Sequence, residues 1–272
     1  MLSFRDLVSG FRKLDLDPKK PLMVHGSLSS FGEEVRGGAE TLLGALLATS
    51  DALICPTFTY KTLVIPEDGP ENNGMVYGTG KDHNLMAEFY RATMPADRLM
   101  GILAETLRLH PNAERSIHPV LSFSAINLDD ALEAQTLQDH LAPIRVIAEK
   151  QAWIILIGVD HTVNTSIHYA ERLAGRKQFI RWALTSQGVV ECPGYSGCSN
   201  GFQEAEDWLT DITRSVKIGE SLIEALPMQP MLEIITQKIK EDPLALLCGN
   251  PNCERCSAIF MEVTKSAETP SS

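Results

Sequence analysis

The sequence predicts an α/β protein with a mostly parallel or mixed central sheet flanked by helices. Three observations carry that expectation. Residues 22–25, 52–55 and 152–159 are short apolar runs of strand length. A small-residue loop and an amphipathic stretch lie between the first two, the strand–loop–helix–strand order of an α/β unit. The chain has 272 residues, 44% of them apolar and 22% charged, which is ample for a sizeable core.

Residues 4–14 carry Phe4, Leu7, Val8, Phe11 and Leu14 at helical spacing. Pro18 and Pro21 end that segment, and Leu22-Met23-Val24-His25 reads as a short buried strand. It runs into the small-residue loop Gly26-Ser27-Leu28-Ser29-Ser30-Phe31-Gly32. Gly37-Gly38 then precede a helix over 39–48, with Leu42, Leu43, Leu46 and Leu47 apolar. Residues 52–55 form a second strand, stopped by Pro56. From 57 to 98 the pattern weakens into turn-rich chain, with Gly69-Pro70-Glu71-Asn72-Asn73-Gly74 and Gly78-Thr79-Gly80. A loop of that length is usually functional or mobile. Residues 100–109 read as a helix ended near Pro111, 120–125 as a strand, 137–148 as a helix and 152–159 as the best core strand. A further helix starts near Asn164-Thr165, whose side chains suit capping. Beyond Gly175, residues 179–184 and 188–192 suggest a hairpin, followed by helices over 201–216 and 221–226. No repeat or linker divides the chain. It reads as one domain over 1–272, with 57–98 as an insertion and 176–272 as a less regular C-terminal part.

Composition excludes several classes. A formal net charge of −11 argues against a nucleic-acid partner. The longest apolar run, Trp153-Ile154-Ile155-Leu156-Ile157, is far short of the ~20 residues a membrane helix needs. Met1-Leu2-Ser3-Phe4-Arg5-Asp6 lacks a long apolar core, so no secretory leader is read and the expected compartment is the cytoplasm. Cys55, within Leu53-Ile54-Cys55-Pro56, reads as a small core residue. Cys253-x-x-Cys256 is a good metal pair with Cys248 nearby, but Cys192-x5-Cys198 is a poor partner for it. Free thiols are therefore the default reading, a zinc-stabilised interaction module is the rival, and no metal is expected.

Three polar constellations stand where an α/β sheet collects ligands, at the ends of strands. His168 follows the best core strand, and Glu171 lies three residues on, on the same helical face. A carboxylate beside an imidazole fixes its tautomer and raises its basicity, which suits a general base. The bland alternative is a solvated or capping histidine. His25 leads into the Ser27–Ser30 loop, whose N–H groups and hydroxyls suit phosphate or amide groups, although the spacing is neither a P-loop nor a dinucleotide fingerprint. Arg115-Ser116-Ile117-His118-Pro119 is the third, with Arg115 able to meet a phosphate or carboxylate bidentately.

These blocks together resemble the aminoglycoside 3-N-acetyltransferase family. The resemblance rests on Val24-His25-Gly26-Ser27-Leu28-Ser29-Ser30-Phe31-Gly32 with Gly37-Gly38, on Met100-Gly101 through Arg115-Ser116-Ile117-His118-Pro119 to Ser122-Phe123-Ser124-Ala125, and on Leu156-Ile157-Gly158-Val159 through Asn164-Thr165-Ser166-Ile167-His168-Tyr169-Ala170-Glu171. A weaker match is Gly249-Asn250-Pro251-Asn252-Cys253. The resemblance implies an acetyl-coenzyme A-dependent N-acetyltransferase of non-GNAT fold, associated with antibiotic resistance. His168 would be the base and Glu171 its orienting acid. His25, Ser27, Leu28, Ser29 and Ser30 would line the coenzyme path, with Arg115, Ser116 and His118 beside it. Direct attack by the amine needs no acyl-enzyme, hence no nucleophilic cysteine. Residues 57–98 would form an acceptor-side insertion, with Glu67, Asp68 and Glu71, together with Asp160, as the expected contacts to a polycationic acceptor. The expected partners are a small amine and coenzyme A. The alternatives are a biosynthetic amine as acceptor, or a coenzyme A-binding homologue without turnover.

Overall fold

A strand covered on both faces must be apolar at every position, and the runs near residues 22, 53 and 154 satisfy that condition. The computed structural model describes residues 1–268. Its strands are β1 (Leu22–Gly26), β2 (Leu53–Pro56), β3 (Leu63–Val64), β4 (Glu114–Arg115), β5 (Phe123–Ile126), β6 (Trp153–Ile157), β7 (Phe179–Thr185), β8 (Gly188–Tyr195), β9 (Arg214–Ile218) and β10 (Ser221–Pro227). The helices are α1 (Phe4–Arg12), α2 (Gly38–Leu47), α3 (Lys81–Met86), α4 (Gly101–Leu109), α5 (Asp129–Glu133), α6 (Ala142–Glu149), α7 (Ser166–Leu173), α8 (Glu206–Leu209), α9 (Met228–Glu241) and α10 (Glu254–Glu268). Seven strands form one sheet in the order β4-β5-β2-β1-β6-β10-β9. It is mixed: β1 pairs parallel with β2 and with β6, and the outer pairs are antiparallel. β3, β7 and β8 form a second, smaller sheet.

The period of two along each central strand divides the core. Leu22 and Val24 of β1, with Ile155 and Ile157 of β6, pack with Leu7, Phe11, Leu42, Leu46 and Leu107 of α1, α2 and α4. Met23, Ile154 and Leu156 point the other way, into Ile144, Ile147, Ile167, Met231 and Ile235 of α6, α7 and α9. Cys55 is buried within the first of these clusters, as expected of a small core residue. The parallel pairing brings the C-terminal ends of β1, β2 and β6 to one edge, where the loops after them meet.

The N-terminal elements agree with the sequence reading within a few residues, and so does the β7–β8 hairpin. The helix expected over 137–148 begins only at Ala142, with Pro143 in its first turn; Thr136 Oγ1 accepts from Asp139 N (3.0 Å) in the turn before it. Residues 57–98 hold only short elements, with Asn84 of α3 bonding both Ile65 N and Ile65 O at 2.8 Å.

The C-terminal part required correction. In place of helices over 201–216 and 221–226, helical turns end at Ile212 and a β9–β10 hairpin extends the main sheet. The alternation explains it: Ser221, Ile223 and Ala225 face inward while Leu222 is exposed, a period of two rather than 3.6. Gly219, at φ +57°, opens the two-residue turn between Ile218 and Ser221. Helices α9 and α10 have no counterpart in the sequence reading, although Met228, Met231, Leu232, Ile235 and Ile239 carry helical spacing.

His118 ties the turn between β4 and β5. Its Nδ1 accepts from Val120 N (3.2 Å) and Leu121 N (2.9 Å), and burial pushes its pKa down to about 4 from an ordinary 6.5. The folded chain thus holds His118 neutral, and the unfolded chain takes up a proton first as pH falls. Stability is then complete above pH 6.5 and is lost between 6.5 and about 4. His118→Asn keeps an acceptor for the two N–H groups and removes the titration. Denaturant melts at pH 7 and pH 5 should show a smaller stability loss in His118→Asn than in the wild type; an equal loss would contradict this assignment.

Candidate active site

The short turn after β6 delivers the chain to α7, where Asn164 Oδ1 accepts from Ser166 N at 3.2 Å and satisfies a free amide of the helix start. One turn into the helix, His168 and Glu171 face the same way. His168 Nδ1 lies 2.7 Å from Glu171 Oε2, and Glu171 is only 1% exposed. Its other oxygen accepts from Arg176 Nη1 at 2.8 Å. Gly175, at φ +81°, reverses the chain after α7 and sends Arg176 back beside Glu171. Arg176 Nη2 in turn donates to Pro243 O (2.9 Å) and Ala245 O (2.7 Å). A buried carboxylate without such partners would be strongly destabilising. The result is one continuous chain of charge-assisted bonds from backbone carbonyls to the imidazole. Because Glu171 accepts at Nδ1, that nitrogen carries the proton and Nε2 offers its lone pair. The Phe202 ring, edge-on with its centroid 4.8 Å from that of His168, supports the imidazole from the side.

Two cavities adjoin. The larger, about 1090 Å³, lies beyond the C-terminal ends of β1 and β2. Its walls include His25, Ser27, Leu28 and Ser29, the start of α2 at Gly37 and Gly38, and the start of α4 at Gly101 and Ile102. The smaller, about 340 Å³, holds His168 with Thr165, His140, Tyr195, Gly197 and Arg255. Tyr60, Leu99, Ser199 and Asn200 belong to both walls, so the two form one cleft. Burial pushes the His25 pKa down to about 4, with His161 adding to the effect, so the imidazole beside the larger cavity is neutral at pH 7. Gly101 sits at φ +79°, and a Cβ there would lie 3.2 Å from Gly26 O, so the close approach of α4 to β1 depends on glycine.

The structure therefore brings His168 and Glu171 together and sets His25, Ser27, Leu28 and Ser29 on the larger wall. Ser30 is on neither wall: its hydroxyl donates to Ser27 O (2.6 Å) and meets Ser221 Oγ (2.8 Å), bracing the loop from behind. Arg115, Ser116 and His118 also lie off both walls. The Arg115 guanidinium is occupied by Ser122 Oγ, Thr57 O, Ala92 O and Met94 O, and Ser116 Oγ accepts from Phe123 N. They shape the segment beside the cleft rather than its surface. Glu67, Asp68 and Glu71 are exposed and line neither cavity. Asp160 caps the turn before α7 by accepting from Thr162 N at 2.9 Å, and Thr162 stands on the larger wall. Sequence reasoning missed Arg176, Tyr60, Tyr195, Arg255 and the 196–200 segment. Gly175 just past the end of a helix was the available signal for Arg176.

Residues 23–240 match the family model described as aminoglycoside 3-N-acetyltransferase. The chain is 27% identical over 217 residues to an aminoglycoside N(3)-acetyltransferase III of Salmonella sp, covering 70% of this chain and 74% of the relative. It is 24% identical over 257 residues to an aminoglycoside N(3)-acetyltransferase IV of Salmonella sp, covering 89% of each. The crystal structure of aminoglycoside acetyltransferase AAC(3)-IVa superposes with a TM-score of 0.77, over 96% of this chain and 97% of that one, at 22% identity. AAC-IIIb, solved as a binary complex with CoASH, superposes with a TM-score of 0.68 over 88% of this chain and 96% of that one, at 18% identity. The family match spans the strands, the loop after β1 and the His168–Glu171 helix: this chain belongs to the aminoglycoside 3-N-acetyltransferase family and is an acyltransferase.

Proposed function

We propose that the chain transfers an acetyl group from acetyl-coenzyme A to an amine of an aminoglycoside, with His168 as general base. The observation that carries this is the Arg176–Glu171–His168 chain, which ends in the smaller cavity of a two-part cleft. The larger cavity suits the coenzyme. The N-termini of α2 and α4 both open onto it, and free amides with the positive helix end favour phosphate. The family's named activity and the coenzyme A complex of AAC-IIIb support the same assignment.

The reaction follows from the tautomer. The amine nitrogen attacks the thioester carbonyl carbon, the C–N bond forms, and the C–S bond breaks. The proton leaving nitrogen passes to His168 Nε2. Glu171, held by Arg176, stabilises the imidazolium that results. The sulfur leaves as coenzyme A and takes a proton. Direct attack by the amine forms no acyl-enzyme, so no cysteine is needed as nucleophile, and burial pushes the Cys55 and Cys192 thiols up to about 12.

A second reading keeps the chemistry and changes the acceptor. Arg255 lines the smaller cavity and no carboxylate does among the described residues; the cleft's carboxylates, Glu33 and Glu34, stand on the larger wall. Glu67, Asp68 and Glu71 can attract a polycation only from a distance, which salt screens. This favours an acceptor amine of lower charge.

A thiol-release assay with acetyl-coenzyme A, run against aminoglycosides and simple monoamines, separates the two. Release with an aminoglycoside, lowered ~10²–10⁴-fold in kcat by His168→Ala with coenzyme A affinity unchanged, is the expected result. Glu171→Gln should cost less. Release with monoamines alone moves the acceptor, and near wild-type turnover by His168→Ala refutes the base.

Ser29→Leu adds bulk to the larger wall. Calorimetry should show weakened coenzyme A binding with an unchanged circular dichroism spectrum. Unchanged affinity would move the coenzyme elsewhere.

A further inference from the structure

Four cysteines that the chemistry above leaves unused meet at one point. Cys198 follows β8, Cys248 follows α9, and Cys253 and Cys256 straddle the start of α10. Their four sulfurs all lie within 4.8 Å of one another. A tetrahedral zinc with Zn–S bonds of about 2.3 Å sets its sulfurs roughly 3.8 Å apart, so a small contraction closes the set. None of the four is disulfide-bonded. The set is four sulfurs, which no other His, Cys, Asp or Glu joins among the described residues, the pattern of a structural rather than a catalytic metal. The surroundings suit thiolates: Cys256 Sγ accepts from Cys248 N and Cys198 Sγ from Asn200 N, each at 3.5 Å. Sequence spacing alone offered Cys192-x5-Cys198 to the Cys253-x-x-Cys256 pair. The fold instead supplies Cys198 and Cys248, and Cys192 packs in the apolar core.

We propose that Cys198, Cys248, Cys253 and Cys256 hold one structural Zn²⁺. Binding converts four thiols to thiolates and releases their protons. The site clips three separate segments together, and one of them is the 196–200 wall. Arg255, between two of the ligands, reinforces the clip by donating from Nη1 to Gly197 O at 2.8 Å. The metal thereby holds Ser199 and Asn200 at the junction of the two cavities, without touching the reacting atoms. This inference stands whether or not the acceptor is an aminoglycoside.

Elemental analysis of the full chain, produced with zinc in the medium and purified without a histidine tag or chelator, tests it. About one zinc per chain is expected. Exchange into Co²⁺ should give the intense sulfur-to-cobalt charge-transfer absorption and visible bands of tetrahedral thiolate coordination. Zinc content should fall at least ~tenfold in Cys253→Ser/Cys256→Ser and stay unchanged in Cys192→Ser. Because the zinc content and cobalt spectrum are read on the wild-type chain, misfolding of a variant does not blunt the test. Zinc-free wild-type protein in which Cys198, Cys248, Cys253 and Cys256 react with a thiol reagent would overturn the proposal. So would a cobalt spectrum lacking the charge-transfer band.

Discussion

The structure depends on one buried carboxylate. Glu171 is almost wholly removed from water and is met on one oxygen by Arg176 and on the other by His168. Removing one partner of such a pair typically costs about 3–5 kcal/mol, because the remaining charge stays buried. Arg176 also holds the carbonyls of Pro243 and Ala245, so the same ion pair fixes the chain that leaves α9. That chain leads within a few residues to Cys248 and then to α10. The interaction that orients the imidazole therefore also anchors the C-terminal part of the molecule. Replacement of Glu171 is then a test of both position and stability.

The sheet places this pair where chemistry is possible. Parallel pairing of β1, β2 and β6 gathers three loops at one edge. The loop after β1 and the start of α4 wall the larger cavity, and α7 after β6 brings His168 to the smaller one. Glycine at 101 lets α4 approach β1 closely, so the larger cavity is shaped by backbone as much as by side chains. The rest of the cleft is walled by more irregular chain, with Phe58, Tyr60 and Leu63 from residues 57–98 and Ser199 and Asn200 from the 196–200 segment.

The central strands were legible because burial on both faces demands continuous apolar runs, and His168 with Glu171 was legible because i,i+3 spacing survives any packing. Arg176 was not, since its pairing depends on a left-handed glycine that turns the chain. The role of Arg115 was misleading in sequence because three of its four partners are backbone carbonyls, which every residue possesses. The β9–β10 hairpin was read as helix, and the pairing that decides for strand comes from β6, far away in sequence. Cys198 lies 50 residues before Cys248, beyond the reach of any spacing rule, and only the β8 loop brings it to the other three.

Glu171 fixes His168 with the proton on Nδ1 and the lone pair on Nε2. Imidazole nitrogen NMR of histidine-labelled protein reads this directly, with the His168 signals assigned by their loss in His168→Gln. In the neutral imidazole the Nδ1–H tautomer is expected in the wild type and a mixture in Glu171→Gln. An Nε2–H tautomer in the wild type would contradict it.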